Sequence, residues 1–335
     1  MKIDDLEKID TKKMFKIYDI WPNIAEEAFE KKFEKVDLKN INHIIFTGMG
    51  GSGTIGDIFR DILSKENIHV NITKGYILPN TVDENTLIVV TSVSGNTDET
   101  LTILKQAKNT DGKIAAFSSG GKIEEYCIKE KILFQIISME HSPRASLTKF
   151  LFYILNMLRG IIPITNEDIF QAIESLKKTK LKINSDNLNS ENNSLNIAKW
   201  IKYTPVIYYP KGLSSVAKRF KNSLQENSKI HVIIEELFEA CHNGIVAWKK
   251  QDGFQPILIM GKDDHEKTKE RWKIMKEYFE DQGIEYFEIH SVEGNILSKI
   301  INLIYVMDYA TIYHAIINQI DPTPVDAIDF IKSRL

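Results

Sequence analysis

The sequence is poor in cysteine, with only Cys127 and Cys241 among 335 residues. Two cysteines without a CxxC partner supply neither a disulfide framework nor a zinc site, so we expect neither. An excess of one charge is also missing, because 43 basic and 46 acidic side chains give a formal net charge of −3. We therefore expect no basic field that would attract nucleic acid or a membrane surface.

Long apolar runs are scarce as well. No stretch reaches the roughly 18 apolar residues that a membrane span needs. Residues 1–10 are charged and lack the apolar core of a signal peptide. These absences predict a cytoplasmic protein that holds no metal and binds neither a membrane nor nucleic acid.

What is present indicates a folded α/β protein of two domains. Hydrophobic residues make up 43% and charged residues 27% of a chain that is long for one core. In the first half, short apolar runs alternate with helical patterns. The runs predict strands at 43–47, 68–73, 86–91, 113–118 and 132–137, with helices at 54–65 and 98–107. Such alternation predicts a mostly parallel sheet covered by helices on both faces.

The second half of the chain repeats this alternation. It predicts strands at 206–209, 230–234, 256–260 and 284–289, and helices at 214–226, 264–282 and 294–317. An apolar helix at 145–159 and a polar stretch at 180–194, interpreted as a linker, separate the halves. We therefore predict an N-terminal domain at 1–165 and a C-terminal domain at 190–318. A tail at 319–335 follows, set off by Pro322 and Pro324.

A glycine-rich segment, residues 48–53, follows the first predicted strand and is called the glycine loop below. Gly48, Gly50 and Gly53 match the G-x-G-x-x-G pattern between a strand and a helix, which is typical of dinucleotide binding. Dinucleotide binding also needs an acidic residue near the end of the second strand, and residues 68–74 contain none. A turn that only lets the helix pack closely on the strand is an alternative.

A second loop, residues 92–97, follows the strand at 86–91 and is called the serine loop. It places the hydroxyls of Ser92, Ser94 and Thr97 beside Gly95, just before an acidic helix. Such a loop presents backbone N–H groups and hydroxyls to an anion, and the helix N-terminus adds partial positive charge. Helix capping alone would explain only one hydroxyl. No motif for a nucleoside triphosphate is present, so the two loops predict binding of a single phosphate on a sugar.

These segments resemble a known family. The glycine loop, the serine loop and Ser142-Pro143-Arg144-Ala145 are similar to sugar isomerase (SIS) domains. The runs Gln225-Glu226-Asn227-Ser228-Lys229, Cys241-His242-Asn243 and Ile328-Asp329 with Lys332 resemble the bifunctional phosphoglucose/phosphomannose isomerases of archaea and some bacteria. The resemblance implies two flavodoxin-like α-β-α sandwich domains and a homodimer with its active site at the subunit interface. It also implies no cofactor, and interconversion of glucose 6-phosphate, mannose 6-phosphate and fructose 6-phosphate in carbohydrate metabolism.

The resemblance also implies roles for single residues. Glu226 is similar to the base that moves a proton between C1 and C2, and Arg144 would stabilise the enediolate. His242 resembles the residue that helps to open the sugar ring from across the dimer interface. Lys332 resembles a C-terminal lysine that assists ring opening. The implied substrate contacts are Gly50, Gly51, Ser52, Ser92, Ser94, Thr97 and Pro143.

Residue patterns alone allow simpler interpretations of these side chains. At 100° per residue, Val216, Phe220 and Leu224 mark the apolar face of the helix at 214–226, and Glu226 points away from it toward solvent. His242 could be a hydrogen-bonding loop residue, Arg144 a solvated first-turn residue and Lys332 a solvated charge. Only the resemblance assigns chemistry to them, although histidine suits proton exchange and arginine stays protonated beside an enediolate.

Alternatives remain for the activity. Val325, seven residues before Lys332, stands where an archaeal member of the family carries a threonine, so glucose activity is expected more firmly than mannose activity. A non-catalytic phosphosugar sensor is the main alternative, although residues 1–40 show no helix-turn-helix pattern. An aminosugar-phosphate synthase is less expected, because residue 2 is Lys2 rather than a nucleophilic cysteine.

Overall fold

The computed structural model describes residues 1–31, 38–250 and 252–334. The chain divides into two compact units. The first-sheet unit is Ile20–Ile173, and the second-sheet unit combines Met1–Asp19 with Glu174–Leu335. The predicted N-terminal domain at 1–165 therefore differs from the first-sheet unit mainly in residues 1–19.

The first-sheet unit is built on five parallel strands in the order β2-β1-β3-β4-β5. The strands are β1 (His43–Thr47), β2 (His69–Thr73), β3 (Thr86–Ser92), β4 (Lys113–Ser118) and β5 (Leu133–Ile136). Every residue of β1 and β3 is buried. A central parallel strand is covered on both faces, and this explains why these segments read as continuous apolar runs.

Helices cover both faces of this sheet. They are α3 (Trp21–Glu30), α4 (Gly50–Ile62), α5 (Asp98–Ala107), α6 (Gly121–Glu130) and α7 (Leu147–Met157), and α8 (Asn166–Ile183) leads out of the unit. On one face the ring of Phe46 stacks on Phe59 of α4 with 4.6 Å between centroids. On the other, Ile88 and Val90 join Leu104 and Ile123 in one buried cluster. The core therefore holds α4 and α5 directly against β1 and β3.

The second-sheet unit has four parallel strands in the order β7-β6-β8-β9. The strands are β6 (Thr204–Tyr209), β7 (Ile233–Glu236), β8 (Phe254–Met260) and β9 (Phe287–His290). Its helices are α1 (Ile3–Ile9), α2 (Met14–Asp19), α9 (Asn193–Trp200), α10 (Ser214–Ser223), α11 (Leu237–Ala240), α12 (Glu266–Asp281), α13 (Ile296–Ile317) and α14 (Asp326–Lys332). A π turn (Leu224–Ser228) extends α10, and a 3-10 turn (Gly244–Lys249) precedes β8.

Helix α13 is the centre of the second-sheet unit. It is long and apolar enough, by length and composition, to cross a membrane, but 89% of its most apolar window is buried inside the protein. The prediction that no stretch is so long and apolar is therefore corrected for this helix. Since its neighbours cover it nearly all round, its apolar character is that of a core helix.

Residues 1–19 belong to this unit because they pack on α13. The Tyr305 hydroxyl donates to the backbone oxygen of Tyr18 over 2.7 Å, and the Tyr18 and Tyr309 rings stack at 5.9 Å. Tyr309 also donates a hydrogen bond to Asp19. Local sequence patterns carry no signal of this partner, because it lies almost 300 residues away along the chain.

This architecture confirms the predicted α/β fold with two parallel sheets and a C-terminal helix. Two predictions within it are wrong. The stretch at 180–194 is not a linker, since α8 ends in it, α9 begins in it and Asn192 is fully buried as the cap of α9. The helix expected to run from 214 to 226 ends at Ser223, where the π turn begins.

Candidate functional site

The glycine and serine loops lie side by side in the first-sheet unit. The chain places β2 on one side of β1 and β3 on the other, so the strand order reverses between β1 and β3. Ligands of open parallel sheets bind outside the carboxyl ends of the strands at such a point. The glycine loop follows β1 and the serine loop follows β3, which are hydrogen-bonded neighbours.

Close backbone contacts join the two loops. The backbone N–H of Val93 donates to Ser52 Oγ over 3.1 Å. A Cβ on Gly48 would lie 2.7 Å from the carbonyl oxygen of Thr91, and a Cβ on Gly53 would lie 2.7 Å from that of Gly48. Glycine at these two positions therefore allows an approach that any side chain would block.

The serine loop is a tight turn with its own internal hydrogen bonds. Ser92 Oγ accepts from the Gly95 N–H over 3.1 Å and lies 2.9 Å from Thr97 Oγ1. Gly95 has a φ of +68°, and a Cβ there would lie 1.7 Å from the Gly120 carbonyl oxygen. Ser94 is exposed. Ser92 therefore shapes the loop, whereas Ser94 faces solvent, where a ligand can reach it.

Both loops lead into helix N-termini. Helix α4 begins at Gly50 and runs for 13 residues, and α5 begins at Asp98 and runs for 10. Gly50 is exposed, Gly51 is half-buried and Ser52 is buried at the start of α4. The first N–H groups of a helix have no partner within it and carry partial positive charge. This edge of the sheet is therefore suited to hold an anion such as a phosphate.

Arg144 lies in the same unit, in the segment between β5 and α7. Its side chain is only 4% exposed, so the interpretation as a solvated first-turn residue is wrong. Ser146 Oγ donates to the Ser142 carbonyl and accepts from the Glu140 N–H, both over 2.9 Å. Pro143 is exposed. The backbone around the guanidinium is thus fixed by its own hydrogen bonds.

Glu226 lies in the π turn of the second-sheet unit and is half-buried. A projection at 100° per residue predicts full exposure, but a π turn is wider than an α-helical turn and changes the phase of the side chains that follow Ser223. The turn ends at Lys229, whose φ of 59° is left-handed. The interpretation of Glu226 as a simple solvent-facing residue is therefore wrong.

A buried ion pair lies behind this turn. Arg219 donates to Asp308 through Nη2 over 2.6 Å and through Nε over 2.9 Å, and neither side chain is more than 2% exposed. Burial has the largest single effect and disfavours the charged guanidinium. Asp308, Tyr18 and Glu226 together outweigh it and hold the pKa of Arg219 above its ordinary value. Arg219 and Glu226 therefore attract each other.

His242 follows α11 and is exposed. Its backbone N–H donates to the Glu239 carbonyl over 2.9 Å, and the neighbouring Asn243 side chain donates to Glu239 Oε1 over 3.0 Å. The backbone of His242 is thus fixed by a hydrogen bond, while its side chain faces solvent.

Sequence reasoning missed Glu235, at the carboxyl end of β7. Burial raises the pKa of this half-buried carboxyl group above its ordinary value. A Cβ on Gly244 would lie 2.0 Å from Glu235 Oε2, so the carboxyl group lies beside the segment that carries His242. A carboxyl group with a perturbed pKa is a candidate for proton transfer. Its position after a predicted strand is the signal that could have found it.

The C-terminal tail is attached to the turn that carries Glu226. Lys229 Nζ donates to the Pro324 carbonyl over 2.7 Å and also to the carbonyl of Glu226. Val325 is half-buried next to this contact, whereas Lys332, at the end of α14, is exposed. The structure therefore brings the beginning of the tail to Glu226 but shows, within the residues it describes, no contact between Lys332 and that turn. Leu335, the last predicted tail residue, lies outside the described residues.

Within residues 1–31, 38–250 and 252–334, no three His, Cys, Asp or Glu side chains lie together as the ligands of a metal ion would.

Comparison with known families matches two consecutive parts of the chain. Residues 37–157 match the SIS domain, and residues 190–335 match the bacterial phospho-glucose isomerase C-terminal SIS domain. A bifunctional phosphoglucose/phosphomannose isomerase of Caldicellulosiruptor bescii is 32% identical over 96% of this chain and 95% of its own length. The chain belongs to the bifunctional phosphoglucose/phosphomannose isomerase family. The predicted resemblance is confirmed, and the chain is an isomerase.

One relative of this isomerase has a different named activity. A D-glucosamine-6-phosphate 4-epimerase of Sulfolobus acidocaldarius is 30% identical over 73% of this chain and 77% of its own length. Among solved structures, a hypothetical protein from Thermus thermophilus superposes with a TM-score of 0.76 at 12% identity, covering 98% of this chain and 92% of that one. At that identity the structural match supports the fold alone.

Proposed function

We propose that this isomerase interconverts glucose 6-phosphate, and mannose 6-phosphate, with fructose 6-phosphate through an enediolate and without a cofactor. The observation that carries the proposal is the contact between the glycine loop and the serine loop at the point where the strand order reverses. A relative matched over 95% of its own length is named a bifunctional phosphoglucose/phosphomannose isomerase. Those loops offer a phosphate two helix N-termini and an exposed hydroxyl, that of Ser94. They explain affinity for a sugar phosphate but not the proton transfer.

The proton transfer is assigned to Glu226. Aldose–ketose isomerisation needs one base that removes a proton from one carbon and returns it to the next. A carboxylate is ionised at neutral pH, with an ordinary pKa of about 4.3. Glu226 is half-buried, and the residues that follow it are hydrogen-bonded to α13 and to the start of the tail, which supports it as a base with a fixed position.

Charge stabilisation and ring opening are assigned to the three cationic or titratable residues of the family motifs. Arg144 supplies a guanidinium that stays charged beside the enediolate oxygen. His242 exchanges a proton with the ring oxygen, since an imidazole can both donate and accept a proton. Lys332 assists the same step. The rigid backbone around Arg144 and the exposed ring of His242 support these roles.

The proposal includes a homodimer with its active site at the subunit interface. In it, His242 serves the site of the partner copy, and its exposure leaves the ring accessible to a second subunit. We also propose that the two SIS domains lie within 1–165 and 190–318 and that the tail at 319–335 folds back toward the active site of a cytoplasmic enzyme. The contact of Lys229 with the start of the tail supports that path.

A coupled assay tests the activity. The protein at micromolar concentration is supplied with fructose 6-phosphate, and glucose 6-phosphate is followed with its dehydrogenase. We expect steady turnover, with mannose 6-phosphate also converted to fructose 6-phosphate. Binding of fructose 6-phosphate in a titration without turnover would instead support the sensor. Equal rates with both epimers would indicate that Val325 does not restrict the site.

A second candidate activity comes from the epimerase relative. An assay with glucosamine 6-phosphate, followed by separation of its C4 epimer, tests it on the same preparation. Turnover there without turnover of fructose 6-phosphate would replace the proposed function by epimerisation.

A further inference from the structure

A base that serves two neighbouring carbon atoms has to be held in one place, because small displacements of a catalytic group cost large factors in rate. Glu226 lies in the five-residue π turn Leu224–Ser228, a rare conformation that often marks functional sites in helices. What fixes that turn is therefore relevant to catalysis.

The first fixed point is Thr311 of α13, which is fully buried. Asn227 Nδ2 donates to Thr311 Oγ1 over 2.8 Å, and Ser228 Oγ donates to the Thr311 carbonyl over 3.0 Å. Thr311 Oγ1 in turn donates to the Asp308 carbonyl over 2.6 Å, so its single proton is already used. It therefore accepts from Asn227, and the two residues after Glu226 are held to one point of α13.

The second fixed point is Asp308, one turn earlier on α13. It accepts from Ser223 Oγ over 2.6 Å and from Arg219, and both donors come from the helix that leads into the turn. The residues before and after Glu226 are thus tied to the same rigid helix.

A purely structural role would need only packing at this place. Apolar side chains provide packing without the cost of burying a polar group. Here Asn227, Ser228 and Thr311 are all fully buried and directly flank the one half-buried carboxylate of the turn. Directional hydrogen bonds fix orientation as well as distance, which packing alone does not.

We propose that Thr311 and Asp308 of α13 are positioning residues for the base Glu226, with Thr311 fixing the end of the π turn and Asp308 its beginning. This inference rests on the proposed function, since it takes Glu226 as the base. Both residues are fully buried and act through the turn.

Thr311→Val tests the proposal with little change of shape, because it replaces only the hydroxyl that accepts from Asn227. We expect kcat for fructose 6-phosphate to fall about 10-fold with KM within about twofold. Thr311→Ser keeps the hydroxyl and is expected to keep kcat within about twofold. Ser298→Ala is the matched control, since it removes a buried hydroxyl of the same helix that has no hydrogen-bond partner among the described residues.

Hydrogen exchange gives a readout that does not depend on activity. In Thr311→Val the backbone amides of residues 225–229 should exchange about 10-fold faster, while Ser298→Ala and Thr311→Ser stay at the wild-type rate. Unchanged exchange in Thr311→Val, or faster exchange with an unchanged kcat, would overturn the positioning role. An inactive wild-type protein would overturn the proposed function instead, so the two failures are distinguishable.

Discussion

At the scale of single residues, Glu226 is the side chain on which the proposed chemistry depends. Glu226→Gln keeps the size and the hydrogen-bonding oxygen but cannot accept the substrate proton. We expect kcat to fall about 10²- to 10⁴-fold, with KM nearly unchanged because the proposed phosphate contacts lie in the glycine and serine loops. Steady-state kinetics with fructose 6-phosphate measure this. The exposed neighbour Gln225 provides the control, since Gln225→Ala should keep the wild-type rate. An equal loss in both variants would remove Glu226 from the mechanism.

Gly95 has a role in the serine loop that a single methyl group can test. Gly95→Ala places a Cβ at a position 1.7 Å from the Gly120 carbonyl oxygen, at a φ of +68°. We expect KM for fructose 6-phosphate to rise at least about 10-fold, because the loop must open to relieve the overlap. Gly160→Ala is the control. It also has a positive φ, of 84°, but its Cβ would have nothing within 4 Å. A similar KM in both variants would mean that the shape of the loop does not govern substrate binding.

Residues with local signals could be predicted from the sequence, and residues fixed by distant partners could not. The glycine and serine loops are recognisable because glycine and hydroxyl clusters follow directly after apolar strands. The burial of Arg144 is set by the surroundings of its segment, which the motif does not reveal. Periodicity assigns Glu226 to solvent because it assumes an α-helix, and the π turn depends on hydrogen bonds to Thr311, 84 residues after Asn227.

At the scale of elements, the ion pair between α10 and α13 governs stability. Asp308→Ala leaves the Arg219 guanidinium buried without its carboxylate. We expect the free energy of unfolding to fall by about 3–5 kcal/mol. Denaturant unfolding of the purified protein measures the difference. Removal of an exposed partner should cost less than about 1 kcal/mol, as in Glu270→Ala, which breaks a surface pair with Lys267. A loss below about 1 kcal/mol in Asp308→Ala would mean that water replaces the carboxylate.

Helices and strands, like single residues, could be predicted where the local sequence carries a strong pattern and could not be predicted where it does not. Buried central strands such as β1 and β3 are predicted accurately, because burial on both faces leaves an uninterrupted apolar run. The strand expected at 230–234 is found at β7, Ile233–Glu236, since an edge strand with exposed residues carries a weaker pattern. The sequence patterns do not predict helices α6 and α8. The polar residues near 190 serve as turn and cap partners, as Asn192 does, although their composition is typical of a linker.

At the scale of the whole molecule, two buried histidines make stability depend on pH. Burial lowers the pKa of His43 and of His314 below the ordinary value of 6.5. The unfolded chain, with ordinary histidines, therefore binds more protons below pH 6.5 than the folded chain does. Stability is full above this pH and falls as the pH is lowered through it.

We therefore expect the Tm to decrease between about pH 7.5 and 5.5. Thermal unfolding monitored by circular dichroism measures this, and His314→Gln should make the decrease smaller. The exposed His231 is the control, since His231→Gln should leave the slope as it is. A Tm that rises as the solution is acidified would contradict the assignment.

The second-sheet unit is discontinuous along the chain, since it combines residues 1–19 with residues 174–335. During synthesis, all residues of the first-sheet unit have been made once residue 173 has been added. This unit can therefore fold before the rest of the second-sheet unit has been made. The N-terminal helices, made first, cannot pack until α13 has been made, and α13 follows the whole first-sheet unit along the chain. The turn that carries Glu226 depends on the same helix through Thr311 and Asp308. In a nascent chain the glycine and serine loops can thus be folded well before the proposed base is in place.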